Sequence, residues 1–418
     1  MAAPLDPPGT LRALFKAAVD AADPTRAVAI NLPQPPKGRT VVIGAGKGAI
    51  AMAAALEANW QGKLEGFVVA PHGLASPLKR VEAFYADHPV PDAGSLAAAD
   101  KALALAATLR RDDLLIALIS GGGSSLMSKP AAGITMDEKL SLIRALLKCG
   151  ANIAELNCVR KHVSGIKGGR LARAAGEARI YTLVISDVPG NDPAVVASGP
   201  TVADPTRKSD ALEILRRYRL DIPIAVERWL TSPDVERGPL RGDNETRVII
   251  SPHESFRAAI ATAKTFRLNA LYLGDRIEGE ARDVAKVHAG LALQIRQYNE
   301  PVAKPCVVLS GGETSVTVRG SGRGGRNVEF ALALAVTLAS EKNIHALAAD
   351  TDGVDGMDPV AGAVITPDTL DRARNQGLDP IASLENNDAH TFFEKLGDQV
   401  ITGPTQTNVN DFRAILIV

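Results

Sequence analysis

The sequence has no excess charge of either sign: Lys and Arg together number 47, and so do Asp and Glu. A general binder of nucleic acid or of anionic membrane surfaces carries a basic surplus, so neither partner is expected here, although a local basic pocket is compatible with the balance. No apolar run reaches the roughly 18 residues that a membrane span needs. The opening stretch MAAPLDPPGTLRALFKAAVD lacks a charged segment followed by an apolar one, so no signal peptide is expected. Only three cysteines occur, Cys149, Cys158 and Cys306. Their uneven spacing, without metal-ligand partners at motif distance, predicts reduced thiols in a cytoplasmic protein. Short-period repeats and low-complexity tracts are missing too.

What is present is an ordinary globular composition, 46% apolar and 22% charged, spread over 418 residues. That length suits two domains of roughly 150–250 residues, each large enough to bury a core without a metal or disulfide. Short β-branched runs recur at Thr40–Ile43, Phe67–Ala70, Leu114–Ile119, Ile180–Ile185, Val248–Ile250, Ala270–Leu273, Cys306–Leu309 and Ile344–Ala349. Most end at Gly, Ser or Asp and lead into helical patterns such as Ala49–Ala58. Continuous apolar runs alternating with helices predict buried parallel strands in βαβ units, hence an α/β fold. Ser232–Thr246 (SPDVERGPLRGDNET) is polar, rich in proline and glycine, and is the best linker candidate. It divides the chain into expected domains 1–236 and 245–418. Arg413–Val418 reads as a terminal strand whose sheet is undetermined.

Ligands of open parallel sheets bind beyond the carboxyl ends of strands, so the strand-end loops are the site candidates. The first is Gly44-Ala45-Gly46-Lys47-Gly48, where glycines allow backbone amides to approach an anion. It nearly fits a dinucleotide fingerprint, yet the second strand runs into Pro71-His72-Gly73 with no acid for a ribose. It is not a Walker loop either, because Gly48 stands where Ser or Thr should follow the lysine. Phosphate binding by another arrangement remains, with Lys47 as the distinctive element. The second loop, Ser120-Gly121-Gly122-Gly123-Ser124-Ser125, is expected to wrap phosphate oxygens with amides and hydroxyls.

A third loop, Ser186-Asp187-Val188-Pro189-Gly190, offers Asp187 as a Mg2+ ligand or a base for a substrate hydroxyl; an Asx turn is the competing reading. The fourth joins Gly311-Gly312-Glu313 to the run Arg319–Asn327 (RGSGRGGRN), expected to be a flexible cationic loop. Its Arg326, at the start of a helix over Val328–Leu338, would clamp a carboxylate or a phosphoryl group. Asp350-Thr351-Asp352-Gly353-Val354-Asp355-Gly356 opens like a calcium loop but has Ala361 where the twelfth-position glutamate belongs. A Mg2+ or nucleotide role for it is the better expectation, with Asp352 the ligand candidate. Arg160, Ser164 and Lys167 would share a helix face fit for an anionic substrate, or else form a solvated basic face.

Taken in order from Lys47 to Asp411, GAGKGA, SGGGSSL, NCVRKHVSGIKGGRLA, SDVPGNDPAVVASGPT, LSGGETSVTVRGSGRGGRNVEFALA, ADTDGVDG and TGPTQTNVND resemble the class II glycerate kinases, glycerate 2-kinases with a MOFRL C-terminal region. The resemblance implies a Rossmann-like, mostly parallel sheet in the first domain and a mixed sheet in the second. The MOFRL-like region would span about 305–412, and the active site would lie in the inter-domain cleft. It also implies ATP-dependent, Mg2+-assisted phosphorylation of D-glycerate to 2-phosphoglycerate. The family's cationic pair maps onto Lys47 and Arg326, with Asp187 a further catalytic candidate. Gly44, Gly46, Gly48, Gly121, Gly122, Gly123, Ser124, Ser125, Gly312 and Glu313 are the expected cofactor-binding residues, and Asp187 and Asp352 the metal ligands. Gln406 stands where the family pattern has glycine, and His390 where an aromatic is usual. A homodimer is one assembly the sequence allows. Rival readings are an NAD(P)H-dependent hydroxypyruvate reductase, which the missing ribose acid disfavours, and a non-catalytic nucleotide-binding sensor.

Overall fold

The computed structural model describes residues 5–188, 190–233 and 240–418. The middle of the expected linker, including the expected boundary at 236, and Pro189 of the third loop lie outside the described residues.

Strands β1 (Thr40–Ala45), β2 (Glu65–Pro71), β3 (Glu82–Ala86), β4 (Leu114–Ile119), β5 (Arg179–Ile185) and β6 (Asn244–Ile250) form one all-parallel sheet in the order β3-β2-β1-β4-β5-β6. Every residue of β1 and β4 is buried, as continuous apolar runs in a sheet covered on both faces require. Alanines of the helix Ala93–Ala106 (Ala98, Ala99, Ala102, Ala106) close against Val41, Ile43, Phe67 and Leu115. Small side chains let the helix approach the sheet, and each buried Val, Leu or Ile stabilises it by about 1.5–3 kcal/mol. Strand order reverses between β1 and β4, so their carboxyl ends flank the switch point where ligands bind in such sheets.

The second sheet uses β7 (Asn269–Tyr272), β9 (Cys306–Gly312), β11 (Ile344–Asp350), β12 (Gly362–Ile365), β13 (Gln399–Val400) and β14 (Asp411–Ile417), ordered β13-β12-β11-β14-β9-β7; the short β8 (Gly279–Glu280) and β10 (Thr314–Ser315) pair separately. This sheet is mixed. β7 runs parallel to β9, whereas β14 runs antiparallel to both β9 and β11, so the terminal strand is central. The register sets Asp411 opposite both Gly312 and Asp350. The beginning of β14 therefore meets the ends of its two neighbours.

The described residues of Met1–Asp23, Asp187–Gly190 and Ile250–Val418 form one compact unit, and those of Pro24–Ser186 and Asn191–Ile249 another. Chain order alone does not yield this division. The helix Pro7–Ala21, capped by Asp6 on the Gly9 amide, buries Leu11, Leu14, Phe15 and Ala18 in the second sheet's core, with Phe15 and Phe412 ring centroids 5.6 Å apart. Asn244–Thr246, expected in the linker, already belong to β6, which completes the first sheet rather than opening the second domain. As an edge strand it is only half-buried, so it lacks the apolar signature of a central strand.

Candidate active site

In the first-sheet unit, the β1 and β4 turns interlock. The Lys47 amide donates to the Gly121 carbonyl (2.8 Å), the Gly48 amide to Ser120 Oγ (3.0 Å), and the Gly46 amide to the Val69 carbonyl (3.1 Å). A side chain on Gly46, whose φ is +139°, would run into Ser120, and one on Gly123 would meet the Ala45 carbonyl at 2.8 Å. The glycines thus let two loops lie against each other. This alters the expected role of Gly44, Gly46 and Gly48: their turn holds the Lys47 backbone in place, while its amides from Gly46 to Gly48 are taken up inside the protein. Gly121, Gly122, Gly123, Ser124 and Ser125 continue into the short helix Gly123–Leu126, where Ser125 Oγ donates to the Gly122 carbonyl (3.0 Å) and Ser124 stays half-exposed. Lys47 is half-buried, with its Cγ beside Gly122.

In the second-sheet unit, Arg326 begins the helix Arg326–Leu338. Its Nε donates to Asp411 Oδ1, one terminal nitrogen to Glu313 Oε1 and the other to Asp350 Oδ2, each at 2.7 Å. The three carboxylates come from the start of β14, the residue after β9 and the end of β11, which the mixed register brings to one edge. Asp411 is completely buried, while Glu313 is 55% exposed. Burial opposes the Arg326 charge, but Asp411, Asp350 and Glu313 together outweigh it and hold the guanidinium well above its ordinary pKa. Behind it, Asp411 also accepts from Asn327 Nδ2 (2.9 Å), the Thr314 amide (3.1 Å) and the buried Arg413. Asp355 caps the Arg326 helix, accepting from the amides of Asn327 (3.1 Å) and Val328 (2.9 Å). Burial pushes its carboxyl up to about 6, against those amides.

The run Arg319–Asn327 is fastened rather than flexible. Asn387 Oδ1 accepts from the amides of Arg319 (2.8 Å) and Gly320 (3.0 Å), Asn386 Oδ1 from Ser321 (3.1 Å), and Asp388 Oδ1 from Arg323 (2.8 Å). Side chains on Gly320 or Gly322 would collide with Asn386 and Asp388, so these glycines permit a close approach. Arg323 is itself paired with Asp358 (2.6 Å) and Glu394 (2.8 Å). Gly312, with φ +128°, lies against the Ile277 backbone, which leaves no room for a side chain.

Asp187 also falls in this unit, where its carbonyl accepts from Asn410 Nδ2. Asp352 is nearly buried; its Oδ1 accepts from the Val354 amide (2.9 Å) and its own amide donates to Asp350 Oδ1 (3.1 Å). Among the described residues, the group of three potential ligand side chains within reach of one cation is His72, Asp87 and Asp92, which includes neither Asp187 nor Asp352. Arg160 lies in the helix Ile153–His162, which ends before Ser164 and Lys167, so these three do not share one helix face. Gln406 adopts φ +59°, the left-handed backbone that favours the glycine it replaces. His390 is wholly buried, with Nε2 2.9 Å from the Asp355 carbonyl.

Asp350 and Asp355 belong to the acidic loop expected to serve Mg2+ or a nucleotide, but there Asp352 is the residue singled out; Asp411, Asn327 and Asn387 were not expected to act. Asp411 heads a strand that is apolar apart from Arg413. Nothing local distinguishes Asn327 or Asn387.

Residues 10–231 match a domain family of unknown function, DUF4147, and residues 306–411 match the MOFRL family. A protein of Agrobacterium vitis, provisionally named a hydroxypyruvate reductase, is 51% identical over 97% of this chain and 94% of its own. The D-glycerate 2-kinase of Thermotoga maritima is 36% identical over 97% of each chain. A crystal structure of glycerate kinase from Thermotoga maritima superposes with a TM-score of 0.88 at 35% identity, covering 98% of this chain and 99% of that one. With DUF4147 and MOFRL regions in that order, and these relatives matched along nearly its full length, the chain belongs to the glycerate kinase family and is an enzyme of that type.

Proposed function

We propose that the enzyme transfers the γ-phosphoryl group of ATP to the 2-hydroxyl of D-glycerate, giving 2-phosphoglycerate and ADP, in the cytoplasm and with Mg2+. The observation that favours a kinase over a reductase is the engagement of the β1 turn. The strand order is one that nicotinamide enzymes share, but there the amides of this turn hold a pyrophosphate. Here the amides of Gly46, Lys47 and Gly48 are spent on Val69, Gly121 and Ser120, and β2 ends on Pro71 with no acid for a ribose.

Phosphoryl transfer asks for positioning and charge neutralisation more than for covalent chemistry. In this reading the Gly121–Ser125 turn and Lys47 hold anionic oxygens. Arg326 is oriented by Asp411 and Asp350, and it gives up its exposed partner Glu313 to take a substrate oxygen. Asp187 and Asp352 supply hard carboxylate oxygens, a donor set that suits Mg2+, which commonly takes one or two protein carboxylates and completes its shell with water and phosphate. When bound, Mg2+ would neutralise charge on the transferring group. Either aspartate is also placed by this reading as the acceptor of the hydroxyl proton.

The second reading rests on the provisional name of the Agrobacterium vitis relatives and predicts NADH oxidation with hydroxypyruvate. Incubation with D-glycerate and ATP, followed by ADP detection and phosphorus NMR of the product, tests the first. ADP and 2-phosphoglycerate are expected. NADH consumption with hydroxypyruvate, without ADP release from glycerate, would overturn it.

A further inference from the structure

The first-sheet unit contains a second group of cations that is distinct from Lys47. Lys139, on the helix Met136–Lys148, and Lys167 are 4% and 3% exposed, and Arg160 is half-buried on the helix Ile153–His162. Their partners are neutral. Lys139 Nζ donates to Ser128 Oγ (2.8 Å) and the Lys129 carbonyl (3.4 Å); Lys167 Nζ donates to the Ser124 carbonyl (2.7 Å) and to Ser124 Oγ. Among the described residues, none of the three forms an ion pair, although neighbouring Lys161 has Asp204 at 3.4 Å. Burial first lowers the pKa of both lysines, that of Lys139 to about 8, with repulsion from Arg160 adding to it at Lys139 and from Lys139 and then Arg160 at Lys167.

Independent polar groups converge on the same place. Ser124 Oγ lies 3.4 Å from Ser198 Oγ, which in turn donates to Asn157 Oδ1 at 3.4 Å. Asn157 is buried, sits three residues before Arg160 on its helix, and has an Nδ2 with no acceptor. Burying an unpaired charge is strongly unfavourable, and an unmet buried donor adds to that. A set of three cations, two hydroxyls and an orphaned amide, without one carboxylate, is complementary to a multiply charged anion. A lone carboxylate brings one negative charge, whereas a phosphate group brings up to two and several acceptor oxygens. The half-exposed Ser124 and Arg160 give access from solvent.

We propose that Lys139, Arg160 and Lys167, together with Ser124, Ser198 and Asn157, form a phosphate-binding site. It deepens the kinase reading, on which it rests for its two natural sources of phosphate, a nucleoside polyphosphate and a phosphorylated three-carbon acid.

The test measures binding rather than turnover. Inorganic phosphate, ADP, 2-phosphoglycerate and D-glycerate are titrated calorimetrically into the full-length protein and into Arg160→Met, Lys167→Met and the exposed control Arg216→Met. Phosphate affinity is expected to fall at least about tenfold, 1.4 kcal/mol, in the first two and to stay unchanged in the control. Phosphate should also raise the melting temperature of the wild type but not of Lys167→Met. With phosphate affinity reduced, a parallel loss for ADP but not 2-phosphoglycerate assigns the site to the nucleotide, and the reverse to the product. Wild-type phosphate affinity in both variants, no phosphate binding by the wild type, or a loss confined to D-glycerate would each overturn the proposal. Should Lys167→Met not fold, Arg160→Met, altered at a half-exposed position, decides alone. If Arg160→Met loses phosphate while the wild type fails to phosphorylate glycerate, the site stands and the kinase reading falls.

Discussion

Arg326 Nε donates to the fully buried Asp411 Oδ1 at 2.7 Å, across 85 positions of sequence. With Asp350 and Glu313 on its other nitrogens, the guanidinium is a tie between three strand ends. Lysine cannot reproduce that fork. Arg326→Lys should therefore lower kcat by about 10³-fold if Arg326 stabilises the transferring group. Arg326→Ala should additionally cost about 3–5 kcal/mol in urea unfolding, because Asp411 and Asp350 stay buried with a partner removed. Activity and stability would thus fall together at this position.

Lys47 should behave differently. Its backbone, not its side chain, makes the bond to Gly121, and the side chain is half-buried. Lys47→Ala is expected to cost less in urea unfolding than Arg326→Ala, while turnover falls at least about 100-fold. A steady-state assay beside a urea melt separates the two effects.

Gly312 is required by sterics. Alanine there would need φ +128° and would meet the Ile277 backbone. Gly312→Ala should cost about 2–3 kcal/mol, read as a lower urea midpoint, and should displace Glu313 from Arg326.

Asp355 links stability to pH. Its folded pKa of about 6 lies above the ordinary aspartate value near 3.9. Such a group stabilises the fold fully below about pH 4, and its contribution disappears as pH rises through about 6. Other carboxylates slope the opposite way, so the informative quantity is the difference between wild type and Asp355→Asn. That difference should shift in favour of the variant between pH 4 and above 6, as followed by chemical denaturation.

Asn387 fastens the glycine-rich run by accepting from two successive amides. Asn387→Ala should speed hydrogen exchange at Arg319 and Gly320 by at least about tenfold, with the β11 and β14 amides unchanged. Equal exchange rates would show that the run is held by other contacts.

Composition and periodicity were sufficient to read an α/β protein, its continuous apolar strands, the helix after Gly48 and most of the helix that ends at Leu338. These are local properties: continuous apolar runs mark strands covered on both faces, and a glycine beside a cation marks a turn near an anion. What each glycine does was not local. RGSGRGGRN reads as flexible because glycine frees the unfolded backbone, yet its amides are held by Asn386, Asn387 and Asp388, more than 60 residues away.

The sequence by itself determined which residues carry charge and where the continuous apolar strands run. Only the tertiary structure decided that β14 inserts antiparallel between β9 and β11, and that register alone gathers Asp350, Asp411 and Glu313 around Arg326. It likewise decided that the N-terminal helix packs on the second sheet and that, among the described residues, Lys139, Arg160 and Lys167 form no ion pair. Each of these depends on contacts distant in the chain, whose energies come from burial and charge that no window of neighbouring residues contains.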